Sequence, residues 1–197
     1  MKLHHLAAAA SHLLLALAAT AVAVVTFTAT NTASNTTGGQ RFDQAVGVAY
    51  STQVLSNAST FICSVVFNQT RPADRKPVAA ISLVVADAGG AAAFTSDDTI
   101  TLNALYVGNY SGGDVKAEVT GVLFHETTHV WQWDGQGQAD GGLIEGVADY
   151  VRLKAGYAPG EGDRWDQGYD VTARFLDYCD SLEPGFVALL NAKMKDG

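Results

Sequence analysis

The sequence predicts an α+β domain with a small mixed sheet early and helices late. Three observations carry this. Residues 78–85 form a β-branched, apolar run fenced by Pro77 and by Asp87-Ala-Gly-Gly90, which reads as a buried strand. Residues 91–95 and 99–105 flank Ser96-Asp97-Asp98, a turn composition that joins two further strands. After residue 114, apolar positions fall into helical spacing in successive blocks. At 197 residues the chain has the length of one domain.

Residues 1–24 read as a secretory signal. Lys2 supplies a positive start, an apolar run follows, and Ala21-Val22-Ala23 fits a cleavage site. The run is shorter than the ~20 residues a membrane span needs. Residues 25–197 are then the mature domain, secreted and without stable membrane association. Residues 25–40 are polar and read as extended, with an edge strand over 25–30. Apolar positions from Asp43 to Phe67 recur near helical spacing and predict a helix, weakened by Gly47 and broken at Pro72 and Pro77. The strand over 99–105 alternates imperfectly, which predicts a sheet edge. Asp114 is placed to cap a helix over 115–133. A second helix is predicted over 143–154, stopping at Gly156. A glycine-rich loop over 158–163 follows, then helices over 166–182 and 185–195.

The formal charge is −8, and loss of Lys2 with the leader takes it to −9. Such a surface argues against nucleic acid, whose phosphates need a basic face, and against anionic membranes. Four N-x-S/T sequons, at Asn35, Asn57, Asn68 and Asn109, suit a secreted glycoprotein. Asn57 and Asn68 fall near a predicted helix, where burial would block them. Cys63 and Cys179 either pair in an oxidising compartment or stay as two thiols, and spacing does not choose.

The chemistry concentrates in His125-Glu126-Thr127-Thr128-His129 and Glu145-Gly-Val-Ala-Asp149. Of five histidines, His4, His5 and His12 lie in the leader, so the mature chain keeps only the two in this motif. Residues four apart on a helix differ by about 40° in azimuth, so His125 and His129 share a face and can grip one ion. That predicts one Zn²⁺ per chain, with Glu126 placed to take a proton from an acidified water. A catalytic zinc takes three protein ligands. With no third histidine, the third is a carboxylate, Glu145 on the next predicted helix. Asp149, one turn on, would orient a ligand histidine. On spacing alone Glu145 and Asp149 can exchange these roles. Asp134 is a further candidate, better placed for a turn. Trp131 and Trp133 are read as core before cleft wall. For a donor to a transition-state oxyanion the candidates are Tyr150, Arg152, Tyr157, Arg164 and Tyr169. Tyr169, just before a helix, is singled out as a possible stabiliser.

Three strings carry a family resemblance: His125-Glu-Thr-Thr-His-Val-Trp-Gln-Trp133, Gly141-Gly-Leu-Ile-Glu-Gly-Val-Ala-Asp-Tyr-Val-Arg-Leu-Lys-Ala-Gly-Tyr157 and Gly162-Asp-Arg-Trp-Asp-Gln-Gly-Tyr-Asp-Val-Thr-Ala-Arg-Phe-Leu-Asp-Tyr-Cys179. They resemble the plant basic secretory protein family, from about Gly38 to the end. The resemblance implies a zincin-like fold and a secreted zinc-dependent peptidase acting on peptide or protein, with a link to plant defence. It matches His125 and His129 to the zinc histidines and Glu126 to the catalytic acid/base. The metzincin pattern does not fit, since Gln132 stands at its glycine and Gly135 at its third histidine. The chain departs from the family in being acidic, and relatives are expected to continue past Gly197, so a shortened C-terminus is expected. The rival reading is a non-catalytic, defence-associated binding protein that keeps zinc for structure.

Overall fold

The computed structural model describes residues 24–157 and 168–196. Apart from Val24, the leader lies outside them, as do the loop over 158–163, Arg164 and residues 166–167. The described chain is α+β, with a four-stranded mixed sheet and seven α-helices. None of these helices is long and apolar enough to cross a membrane.

Strand β1 (Thr26–Asn31) leads into α1 (Thr37–Ala45) and α2 (Val48–Phe61). A single π turn, Ile62–Val66, closes α2, and a 3-10 turn, Pro72–Asp74, precedes β2 (Ala80–Ala86). Strand β1 is an edge strand, as read. Helix α1 was not anticipated: residues 37–40 read as extended because Gly38 and Gly39 look like helix breakers. Thr36 overrides them by capping the helix, its hydroxyl accepting from the Gly39 N–H at 3.0 Å. The two glycines also let α1 approach the carbonyls of Ala104 and Ala33 more closely than a Cβ would permit. Gly47, at φ 79, splits the expected long helix in two.

The sheet order is β1-β2-β4-β3, with β1, β2 and β4 (Thr99–Asn103) parallel and β3 (Ala93–Ser96) antiparallel to β4. The hairpin between β3 and β4 turns where it was read, with Asp97 at φ 51. The expected edge position of residues 99–105 is corrected. Strand β4 inserts between β2 and β3, so its buried Ile100 and Leu102 pair on both sides, and β3 becomes the edge. Residues 104–105 have already turned into α3 (Ala104–Asn109), capped by the Asn103 side chain. Strand β2 alternates rather than being buried throughout. Ile81, Leu83 and Val85 face the core, while Thr28 donates to Ser82 on the other face.

Helix α4 (Val115–Trp131) is buried on most of its sides, which marks it as the central helix. Asp114 caps it, accepting from the N–H groups of Lys116 and Ala117. Such a cap contributes about 1 kcal/mol. Val119 and Leu123 reach the core shared with Leu55, Ile62 and the sheet. Trp131 is 3% exposed and donates its indole N–H to Ser59, so it is core, fastening α4 to α2. Helix α5 (Gly141–Lys154), capped by Asp140, packs on α4 and on α6 (Tyr169–Leu182). Gly146 allows the second contact, since a Cβ there would strike the Thr172 side chain. Helix α7 (Phe186–Lys193) ends the described chain's regular structure. Both cysteines are free thiols, and burial pushes Cys63 up to about 11. All four sequon asparagines are exposed, including Asn57 and Asn68, which corrects the expected blocking by burial.

Candidate metal and peptidase site

Three elements position the candidate residues. Helix α4 presents His125, Glu126 and His129, α5 presents Glu145 and Asp149, and the N-terminus of α6 presents Tyr169. The turn between α4 and α5 is tightened by the Asp134 carbonyl, which accepts from the N–H groups of Gly137 and Ala139. Asp134 therefore has the turn role, though it also borders the cleft. The ammonium groups of Lys76 and Lys195 lie 6.0 and 5.4 Å from the centroid of the Trp133 ring.

The Nε2 atoms of His125 and His129 lie 3.1 Å apart. Oε2 of Glu145 is 3.1 Å from the first and 3.6 Å from the second. These three ligand atoms form a group that could hold a metal ion. Tetrahedral bonds of about 2.0–2.1 Å separate ligand atoms by roughly 3.3 Å, so the donor set fits a small divalent ion. Asp149, 3% exposed, takes the other side of His125: its Oδ1 accepts from Nδ1 at 2.7 Å. That contact protonates Nδ1 and leaves Nε2 facing Glu145 and His129. Beside His129 Nδ1 stands the Gln132 amide nitrogen, at 2.8 Å. An Nδ1-protonated His129 needs the amide oxygen on that side instead, and in the present orientation that oxygen is buried without a partner.

Electrostatics bind the group together without metal. Burial opposes the His125 imidazolium, but hydrogen bonds to Asp149 and Glu145 prevail and push it up to about 9. Burial likewise opposes the Glu145 carboxylate, and hydrogen bonds from His125 and His129 hold it well below the usual range. The metal-free site is thus an ion pair in which a proton takes a cation's place.

Glu126 is 5% exposed and borders a cleft of about 820 Å³ with His125, His129, Glu145 and Tyr169. Edge strand β3, with Phe94 and Thr95, also lines this cleft. Thr95 on that strand, which no motif singles out, donates its hydroxyl to Glu126 Oε2 at 2.7 Å. An isolated threonine in a short strand carries no signal of such a contact. Tyr169 has φ 47, in the left-handed region, and its ring lies parallel to that of His125 with centroids 6.1 Å apart. Glu145 first, then burial, Asp149 and Glu126 raise its phenol, keeping it a donor. Of the other donor candidates among the described residues, Arg152 also lines the cleft. Tyr150 is buried, and Arg152 gives its guanidinium to Glu118 and to the Tyr157 carbonyl.

A basic secretory protease from Boswellia serrata is 72% identical to the chain over 29 residues, 15% of this chain and 45% of the relative. The match thus spans under half the length of that curated relative. No solved structure matches the chain. A family model described as "Peptidase of plants and bacteria" matches residues 22–197. The chain belongs to that peptidase family, in agreement with the basic secretory proteins its motif strings resemble.

Proposed function

We propose that the protein is a secreted zinc-dependent peptidase with a zincin-like fold. The observation that carries this reading is the convergence of His125 Nε2, His129 Nε2 and Glu145 Oε2 beside a buried glutamate in an open cleft. These three residues would hold one Zn²⁺, and Asp149 would fix the tautomer of His125. Bound there, the ion would acidify a water and polarise a carbonyl.

The chain's own residues supply the rest. An extended peptide pairs with edge strand β3, which brings a scissile carbonyl into the cleft. Glu126 takes a proton from water as the water oxygen bonds to the carbonyl carbon. The same carboxylate gives that proton to the amide nitrogen as the C–N bond breaks. The Tyr169 hydroxyl donates to the carbonyl oxygen as charge gathers on it. Peptide or protein is the substrate, and the site of action is outside the cell, with a defence role implied by the family resemblance alone. The test is Glu126→Gln. The variant should bind metal like the parent and lose chelator-sensitive peptide cleavage by about 10²–10⁴-fold. A Glu126→Gln protein with parental turnover would remove Glu126 from the mechanism. A parent that holds zinc without cleaving any peptide would favour the binding-protein reading.

A further inference from the structure

Glu126 works only if its carboxylate is held in place. It hangs from α4 on a terminal torsion that is broad and weakly restrained. It is also 5% exposed, so solvent does little to orient it. The group that holds it comes from another layer of the fold. Thr95 lies in β3 with a half-buried side chain between the exposed Phe94 and Ser96. Its hydroxyl is 2.7 Å from Glu126 Oε2 and 3.0 Å from the Glu126 main-chain carbonyl. A hydroxyl has one proton, and the shorter contact, to the side-chain oxygen, takes it. Both contacts fall on the same residue, so β3 docks onto α4 at Glu126. One carboxylate oxygen, Oε2, is thereby fixed on a residue that lines the cleft.

We propose that Thr95 is a positioning residue for the base. The strand that forms the substrate-binding wall also sets the orientation of the group that moves the proton. This rests on Glu126 acting as proposed above. Among the described residues the Thr95 hydroxyl bonds to Glu126 and not to His125, His129 or Glu145, so its removal should leave metal binding intact. Valine keeps the β-branched shape that suits a strand and deletes only the hydroxyl. Serine keeps the hydroxyl and deletes only the methyl.

The experiment compares Thr95→Val, Thr95→Ser and Thr95→Ala with the parent in the zinc-loaded full chain. Metal stoichiometry, thermal unfolding, kcat and KM for one peptide are measured on each. The proposal expects Thr95→Val and Thr95→Ala to keep one metal and parental KM within twofold while kcat falls at least tenfold. Thr95→Ser should recover most of that rate. A kcat within twofold of the parent in Thr95→Val overturns the proposal, as does equal impairment of the valine and serine variants, which would assign the effect to packing. Should Thr95→Val fail to fold, the alanine and serine pair decides by the same criterion. A parent that binds metal and cleaves nothing removes the base role of Glu126 and the proposal with it. An active parent with an unaffected Thr95→Val removes the proposal alone.

Discussion

Asp149→Ala separates the two carboxylates of α5. Asp149 is 3% exposed, and its oxygen lies 2.7 Å from His125 Nδ1. Truncation leaves an imidazole N–H buried without an acceptor and frees the ring to change tautomer. Partners of this kind are worth 10–100-fold in metal affinity, or about 1.4–2.7 kcal/mol. The assay is zinc competition against a chromophoric chelator at neutral pH, with circular dichroism to count folded protein. Asp149→Ala should bind 10–100-fold more weakly, and Asp149→Asn, which keeps an acceptor oxygen, should fall between it and the parent. Glu145→Ala, which removes a proposed ligand, should lose far more. The reverse ranking, with Asp149→Ala abolishing binding and Glu145→Ala sparing it, would refute the assignment and exchange the two roles.

Two further outcomes follow from the same geometry. In metal-free protein the His125 pKa stands near 9 against an ordinary 6.5, so its proton stabilises the fold fully below pH 6.5 and that contribution disappears as pH rises through 9. The depressed Glu145 contributes above its ordinary 4.5 and loses that contribution only on strong acidification. Urea denaturation of chelator-treated protein should therefore show lower stability at pH 9 than at pH 6.5, and a flat profile would contradict the ion pair. Tyr169→Phe removes only the phenol hydroxyl. It should lower kcat by about 10²-fold with metal content and KM unchanged, and a kcat within twofold would exclude the hydroxyl as a donor to the reacting oxygen.

The helices after Asp114 were legible because caps and breakers bracket them. Asp114 accepts from the first turn of α4 and Gly156 at φ 86 closes α5, as their positions predict, whereas the cap that Asp140 gives α5 carries no reading in the sequence analysis. The spacing of His125, Glu126 and His129 on one helix was legible for the same reason. Other features depend on long-range contacts that no local pattern records. The place of β4 inside the sheet follows from β3 folding back to the outer edge, and a weak alternation looked the same for edge and interior. Helix α1 depends on α3 meeting Gly38 without a Cβ. Spacing left Glu145 and Asp149 interchangeable, and it is the rotation of α5 against α4 that turns one toward both Nε2 atoms and the other toward Nδ1. Thr95 reaches Glu126 only because β3 packs on α4, across 31 residues of sequence.

The central claim is a metal ion held by His125, His129 and Glu145 that the peptidase activity requires. Elemental analysis of the purified protein and of His129→Ala, with chelator-sensitive cleavage of an unfolded protein followed on the same samples, tests it most directly. The account predicts about one zinc per chain in the parent, lost together with cleavage in the variant. Absence of zinc from both proteins, or cleavage that persists in metal-free His129→Ala, would contradict it.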